Sequence, residues 1–283
     1  DSVKMEFLFS AAKILNPTHP LESFQRAEEA GDIARQIGFE QGKATALLHQ
    51  SAACFRLGRY ADLMRYADSA MKIFERSGDK KGYAQALNWV GNTRRNQGFY
   101  EDAVRLHLRA LKLREETNDL DGQAASLNNI ANVYRSRKEY GKALTYYRRC
   151  LAIDYQTQNF EGIARSTKHI GNTYKLLGRP DSALIYLRRA IEVAEEIGYL
   201  PAVSEALLYI GEIHASRLQY DSALTALYSS KAIEERLGQK QHLSASITAI
   251  AETLHKQGNN LEAAKYIEQA ISIANEINAR PDK

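Results

Sequence analysis

The sequence predicts an all-α protein, an α-solenoid of seven helical hairpins and about fourteen helices over its 283 residues. Three observations predict it. The segments beginning at Gly42, Gly82, Gly122, Gly162, Ala202 and His242 align without gaps at a period of 40 residues. Within each half of a segment the apolar residues recur with the i, i+3, i+4, i+7 spacing of a single helix face. Small residues hold fixed columns through the copies, the signature of stacked structural repeats.

The columns order the chain. One reads Gly91, Ala131, Gly171, Gly211, Ala251; a second reads Tyr60, Tyr100, Tyr140, Pro180, Tyr220; a third reads Ala70, Ala110, Cys150, Ala190, Ser230, Ala270. Residues 1–41 continue the register more weakly, with Ala11 in the first column and Ala30 in the third. The expected organisation is a single domain, 1–283, built of units 1–41, 42–81, 82–121, 122–161, 162–201, 202–241 and 242–283.

Each unit divides into two helices. In the third unit Ala84, Leu87, Val90, Gly91 and Arg94 share a face of the first helix, and in the fourth Ala124, Leu127, Ile130, Ala131 and Tyr134 do the same. Second helices repeat the pattern, as with Ala103, Leu106, Ala110 and Leu113. Between the halves stand short turns, Gln97-Gly98-Phe99 or Leu177-Gly178-Arg179, in which glycine takes the left-handed conformation that ends a helix. Pro180 and Asp181 suit a first turn, where an N–H has no helical partner and a carboxylate opposes the dipole. A hairpin of two ~15-residue helices cannot cover its own apolar stripe, so the units must stack, with the small-residue columns marking the closest approach of helix axes. Cys54 and Cys150 fall in units separated by an intervening one, beyond the ~7 Å that a disulfide spans, and are expected as buried small residues.

The runs Leu87-Asn88-Trp89-Val90-Gly91-Asn92, Gly98-Phe99-Tyr100-Glu101-Asp102-Ala103 and Ala183-Leu184 to Ala190 resemble the tetratricopeptide repeat (TPR) family, over essentially the whole chain. The 40-residue unit is similar to a longer-helix subclass found in Pins/LGN-type scaffolds, Rap-type regulators and Bacteroidetes TPR signalling proteins. That resemblance implies a right-handed superhelix whose first helices line a concave groove receiving a peptide or partner protein. His107 and Leu187 depart from the family's larger aromatic, and the units from Ala202 onward lose the Gly-Asn pair.

Candidate ligand contacts lie beside the core stripe of the first helices: Gln85, Asn88, Asn92, Arg95; then Ala125, Asn128, Asn132, Arg135; then Arg165, Lys168, Asn172, Lys175. Asparagine is a mediocre helix former, so its recurrence asks for another cause. An amide donates and accepts together, which suits an extended peptide backbone, and the same amides would serve to tie neighbouring helices. The resemblance implies that asparagines at these positions grip backbone, and that Lys168 with Asn172 matches part of a carboxylate clamp, although His169 replaces an expected cation. The expected peptide-binding set is therefore Asn88, Asn92, Asn128, Asn132 and Asn172 for backbone, with Arg95, Arg135, Arg165, Lys168 and Lys175 for acidic side chains.

Charge points the same way. Lys plus Arg against Asp plus Glu run 4 to 7 over residues 1–41, 26 to 17 over 42–201 and 8 to 10 over 202–283, leaving the middle net +9. A basic centre favours an acidic ligand segment, while Glu205, Glu212 and Glu252 turn the later groove positions acidic. Net +4 overall, with arginines interspersed among acids, excludes a nucleic-acid binder. No apolar run reaches the ~18–20 residues of a membrane span, and Asp1 to Asn16 lacks the features of a signal peptide. The expected location is cytoplasmic, or a periplasmic sensor region if the chain is an excised domain.

No phosphate-cradling glycine loop, Cys-x-x-Cys or His-Glu-x-x-His occurs, and Glu252-x-x-His255 with Glu212 and His214 lacks the second Glu-x-x-His of a di-metal site. No enzyme, metal or cofactor is expected. The function read from the sequence is a non-enzymatic scaffold that binds a partner peptide or protein segment in its groove. Its rival is a ligand-sensing module of a bacterial transcription or two-component regulator. Because the last unit has no polar capping helix, 262–278 is expected to pack on something outside this chain or on a second copy, forming a homodimer.

Overall fold

The structure of the protein, a computed structural model, describes residues 1–278. These form fourteen helices: α1 (Ser2–Leu15), α2 (Pro20–Gln36), α3 (Glu40–Arg56), α4 (Tyr60–Ser77), α5 (Lys80–Asn96), α6 (Tyr100–Glu116) and α7 (Leu120–Ser136), followed by α8 (Tyr140–Gln156), α9 (Phe160–Leu176), α10 (Pro180–Glu196), α11 (Leu200–Ser216), α12 (Tyr220–Leu237), α13 (Lys240–Gln257) and α14 (Asn260–Asn278). No strand occurs among the described residues, and no described helix is long and apolar enough to cross a membrane. The 40-residue hairpin predicted from the sequence halves into two equal parts, because from α2 onward each helix starts 20 residues after the previous one.

The turns explain that regularity. A left-handed residue stands at every twentieth position from Gly38 to Gly258; eight of these are glycines, and Asn118, Lys138, Gln158 and Leu218 occupy the other four. Around Gly38 the backbone closes a paired cap: the N–H of Phe39 donates to the Ala34 carbonyl at 2.8 Å and that of Gly38 to the Arg35 carbonyl at 3.2 Å. The same two bonds recur around Lys138 and Leu218, so the cap tolerates a side chain at an intrinsic cost of about 1–2 kcal/mol. The next helix is capped in turn where the sequence allows, Asp79, Asp119 and Asn159 each accepting from the N–H of the glycine three residues on.

The chain divides into two compact units, Asp1–Ile153 and Asp154–Lys283. In the first, each helix packs on its neighbours in sequence, and α1, α3, α5 and α7 also touch in succession, which makes them the inner layer. In the second, α9, α11 and α13 do the same, with α10, α12 and α14 outside. The apolar clusters sit between hairpins. Phe24 of α2, Ala53 and Cys54 of α3, Leu63 and Ala67 of α4 and Val90 of α5 form one; Leu208, Leu227, Ile250, Leu254 and Ala263, from α11 to α14, form another. Both cysteines are buried, and the Cys150 thiol donates to the Ala124 carbonyl at 3.1 Å. Tyr134 stacks on Tyr146, and Tyr174 on Tyr186, each with ring centroids 5.4 Å apart, so these tyrosines pack as the periodicity predicts.

The first small-residue column is where a first helix meets the second helix of its own hairpin. A Cβ added at Gly211 would come 2.5 Å from Leu227 Cγ and 3.2 Å from the Ala223 carbonyl, and one at Gly171 would come 2.8 Å from Leu187 Cγ. In the third hairpin the covering residue is His107, fully buried over Gly91. Burial, with Arg95 and Arg114 nearby, pulls its imidazole down to about 3, so the ring is neutral at any physiological pH.

Two outcomes follow from this packing. Gly211→Val should lower unfolding free energy by about 1–3 kcal/mol in urea titration, because backbone as well as side chain blocks the new methyls; an unchanged midpoint would remove close helix approach as the cause of the column. His107 binds a proton in the unfolded chain near pH 6.5 and in the folded chain only near 3, so it costs about 1.4 kcal/mol of stability per pH unit as pH falls between those values. His107→Leu, which copies Leu187 and Leu227, should therefore lose less stability than the unsubstituted chain between pH 7.5 and 4.5, by roughly 2–3 kcal/mol. Parallel acid limbs in the two denaturation series would contradict it.

Candidate functional site

The asparagines and cations predicted from the sequence fall on the first helices, and their surroundings separate them. Asn88 of α5 is buried. Its amide donates to His107 Nδ1 at 2.8 Å, and its oxygen accepts from the Arg114 guanidinium at 2.8 Å. Arg114, itself buried, also donates to the Gly122 carbonyl and to Ser126 Oγ. Asn88 therefore joins α5, α6 and α7. Asn132 is similarly engaged, its oxygen accepting from the Tyr147 hydroxyl at 2.6 Å and from Arg135 at 3.3 Å.

Asn92 and Asn128 differ. Both are half-buried, and the side-chain oxygen of each is shielded from solvent without a hydrogen-bond partner. A carbonyl oxygen left so carries an unmet demand of about 1–3 kcal/mol, which an incoming N–H would relieve. Beside them on α5 and α7 stand Arg95 and Arg135, both half-buried. Arg95 donates to Asn96 at 3.2 Å, and burial together with the charge of Arg135 weakens its hold on its proton. Among the described residues neither arginine has a carboxylate within ion-pairing distance. The two like charges therefore repel each other in a partly dry face.

The second unit treats its cations otherwise. Lys168 of α9 is buried and pairs with Glu205 of α11 at 2.6 Å. Lys175 pairs with Glu212 and lies 4.9 Å from the centroid of the Tyr209 ring. These acids, which the sequence presents as a change of groove polarity, neutralise the preceding hairpin's lysines. The corresponding sequence signal is a spacing of 37 residues, one period less about one helical turn, shared by both pairs. Asn172 is buried, while Arg165 is half-buried with its Nε lacking a partner. Around Glu205 a denser cluster forms: His242 Nδ1 lies 3.8 Å from both Glu205 and Glu234, and the fully buried Glu234 accepts from the Ser204 hydroxyl. Burial raises the Glu234 carboxyl above its ordinary range.

Arg148, Arg149, Arg188 and Arg189 are exposed on second helices, away from these faces. No group of three or more metal-ligating side chains gathers among the described residues. The face of α5 and α7 thus presents two unmatched amide oxygens and two half-buried guanidinium groups.

Family models for the tetratricopeptide repeat match residues 82–156 and residues 169–197 and 245–277. No curated protein sequence matches significantly. Among solved structures, the apo form of RapI shares 18% identity with a TM-score of 0.74, covering 98% of this chain and 99% of that one. A Rap protein complexed with competence and sporulation factor shares 17% identity with a TM-score of 0.79, covering 98% of this chain and 76% of that one. The Rap conjugation gene regulator of the plasmid pLS20, in complex with the Phr* peptide, shares 16% identity with a TM-score of 0.76, covering 97% and 74%. At these identities the likeness is one of fold. With tetratricopeptide repeats matched in both halves and fourteen helices at a 20-residue spacing among the described residues, the chain carries the tetratricopeptide-repeat fold, with structural similarity to Rap proteins.

Proposed function

We propose that this scaffold binds a peptide segment of a partner along the face of α5 and α7, with an acidic side chain of the segment against Arg95 and Arg135. The observation that carries the reading is the contrast in electrostatics: Arg95 and Arg135 have no carboxylate partner among the described residues, whereas Lys168 and Lys175 are already matched by Glu205 and Glu212. Asn92 and Asn128 add unmet acceptors for backbone N–H groups. Two Rap structures of similar fold hold a factor or a peptide, which supports a peptide as the ligand class. Of the ten residues expected from the sequence, this reading keeps Asn92, Arg95, Asn128 and Arg135 as contacts, with Asn132 orienting Arg135. It leaves Arg165 and Asn172, in the second unit, outside the site and gives Asn88, Lys168 and Lys175 internal partners. A sensing module is the second reading, favoured by the likeness to the pLS20 conjugation gene regulator.

An array of synthetic peptides, each in an acidic form and an Asp→Asn, Glu→Gln form, tests the proposal against the intact chain. The chain should capture acidic members, and Arg95→Ala with Arg135→Ala should weaken that capture by on the order of 2–4 kcal/mol, since bonds to charged groups contribute about 1.5–3 kcal/mol each. Lys175→Met should change it by less than about three-fold, its charge being already matched within the fold. Equal capture by the unsubstituted chain and the double arginine variant would overturn the assignment.

A further inference from the structure

Glu234 of α12 is fully buried where α12 packs on α11 and α13, beside a layer of buried hydroxyls that joins the three helices. Ser230, one turn earlier on α12, donates to the Ser204 carbonyl of α11 at 2.8 Å and lies 2.9 Å from Ser246 Oγ of α13. One oxygen of Glu234 meets Ser204 Oγ; the other is shielded from water and has no hydrogen-bond partner. The charges facing it do not balance. From α11 comes a second carboxylate, Glu205, already paired with Lys168 of α9 at 2.6 Å. From α13 comes the half-exposed His242, 3.8 Å from both Glu205 and Glu234, and among the described residues no other side chain able to carry positive charge lies within ion-pairing distance of Glu234. The cations nearby in sequence, Lys231 and Lys240, are engaged by Glu235 and Glu276.

The Ser204 hydroxyl accommodates two protonation states. It has one proton and two acceptors in reach, Glu234 and the Pro201 carbonyl at 3.2 Å. To an ionised Glu234 it donates, and the second carboxylate oxygen then holds charge in a dry, unpartnered place. A protonated Glu234 donates to Ser204 Oγ instead, Ser204 turns its own proton to Pro201, and the second oxygen is left as a neutral carbonyl, whose burial costs far less than that of a charge. We infer that Glu234 is a proton switch built into the packing of α11, α12 and α13: the folded chain keeps it protonated at pH values where exposed glutamates are ionised, and loss of that proton leaves a buried negative charge that weakens the contact between the helices. Burial, the first cause of the raised Glu234 carboxyl, acts in the same direction as this hydrogen-bond count, and Glu205 adds to it while His242 and Lys168 oppose it. The inference concerns the second unit alone and is independent of the peptide site proposed for the first.

Infrared spectra of the intact chain, differenced against Glu234→Gln, test it. Glu234→Gln copies the neutral form and should remove a protonated-carboxyl band that the unsubstituted chain shows at pH 6, where a glutamate with the ordinary value of 4.5 is ionised. His242→Gln, at a half-exposed position, takes away the facing imidazole and should keep that band to higher pH than in the unsubstituted chain, which assigns the band even if Glu234→Gln does not fold. In urea titrations the folding constant of the unsubstituted chain relative to that of Glu234→Gln should fall as pH rises above 4.5, by up to about tenfold per pH unit until Glu234 has lost its proton, because the folded chain holds a proton that the unfolded chain has released. No protonated-carboxyl band at pH 6, a band that His242→Gln leaves unmoved, or a ratio of folding constants independent of pH would each overturn the inference.

Discussion

A two-helix hairpin has more apolar surface than it can cover by itself, and the rest of this structure follows from sharing that surface with the next hairpin. Burial of apolar area is worth roughly 25 cal/mol per Å², and the faces involved are dense in alanine and leucine, so their value depends on close approach. Gly171 and Gly211 leave room for Leu187 and Leu227, and the left-handed turn residue at every twentieth position keeps successive helices in the same phase. Stability in such an array is close to a sum of nearest-neighbour terms.

One column departs from that apolar rule. The position filled by Ala34, Phe74, Ala194 and Ala274 holds Arg114, Asp154 and Glu234 in the remaining hairpins. All three are buried and meet a serine of the adjoining first helix: Ser126 for Arg114, Ser166 for Asp154, Ser204 for Glu234. Burying a charge costs stability unless it is well hydrogen-bonded, so these positions exchange packing for orientation. Arg114 shows what is gained: it fixes Asn88, which fixes the neutral His107 over Gly91. The asparagines are thus used in two ways: Asn88 and Asn132 as internal cement, and Asn92 and Asn128 with oxygens that the fold leaves unmatched.

Electrostatics divides the two units in the same manner. Chains with similar repeats and similar cations end with different faces because a carboxylate one period later, less a turn, is present in one unit and absent in the other. Lys168 and Lys175 find Glu205 and Glu212. Arg95 and Arg135 find each other's repulsion, with no carboxylate within ion-pairing distance among the described residues.

Repeat length, helix number and the buried small-residue columns were determined by the sequence alone, because periodicity is a one-dimensional property and nearest-neighbour stacking reproduces it locally in space. The turn at Gly98 and the helix start at Pro180 could be read directly for the same reason. Which asparagines and cations remain open to a ligand was decided only by the tertiary structure. Asn88 and Asn92 are one helical turn apart and chemically identical in the sequence, but one faces a neighbouring helix bearing His107 and Arg114 while the other leaves its oxygen unmatched. Partner choice between helices depends on side-chain reach across about one period, information that no single repeat contains.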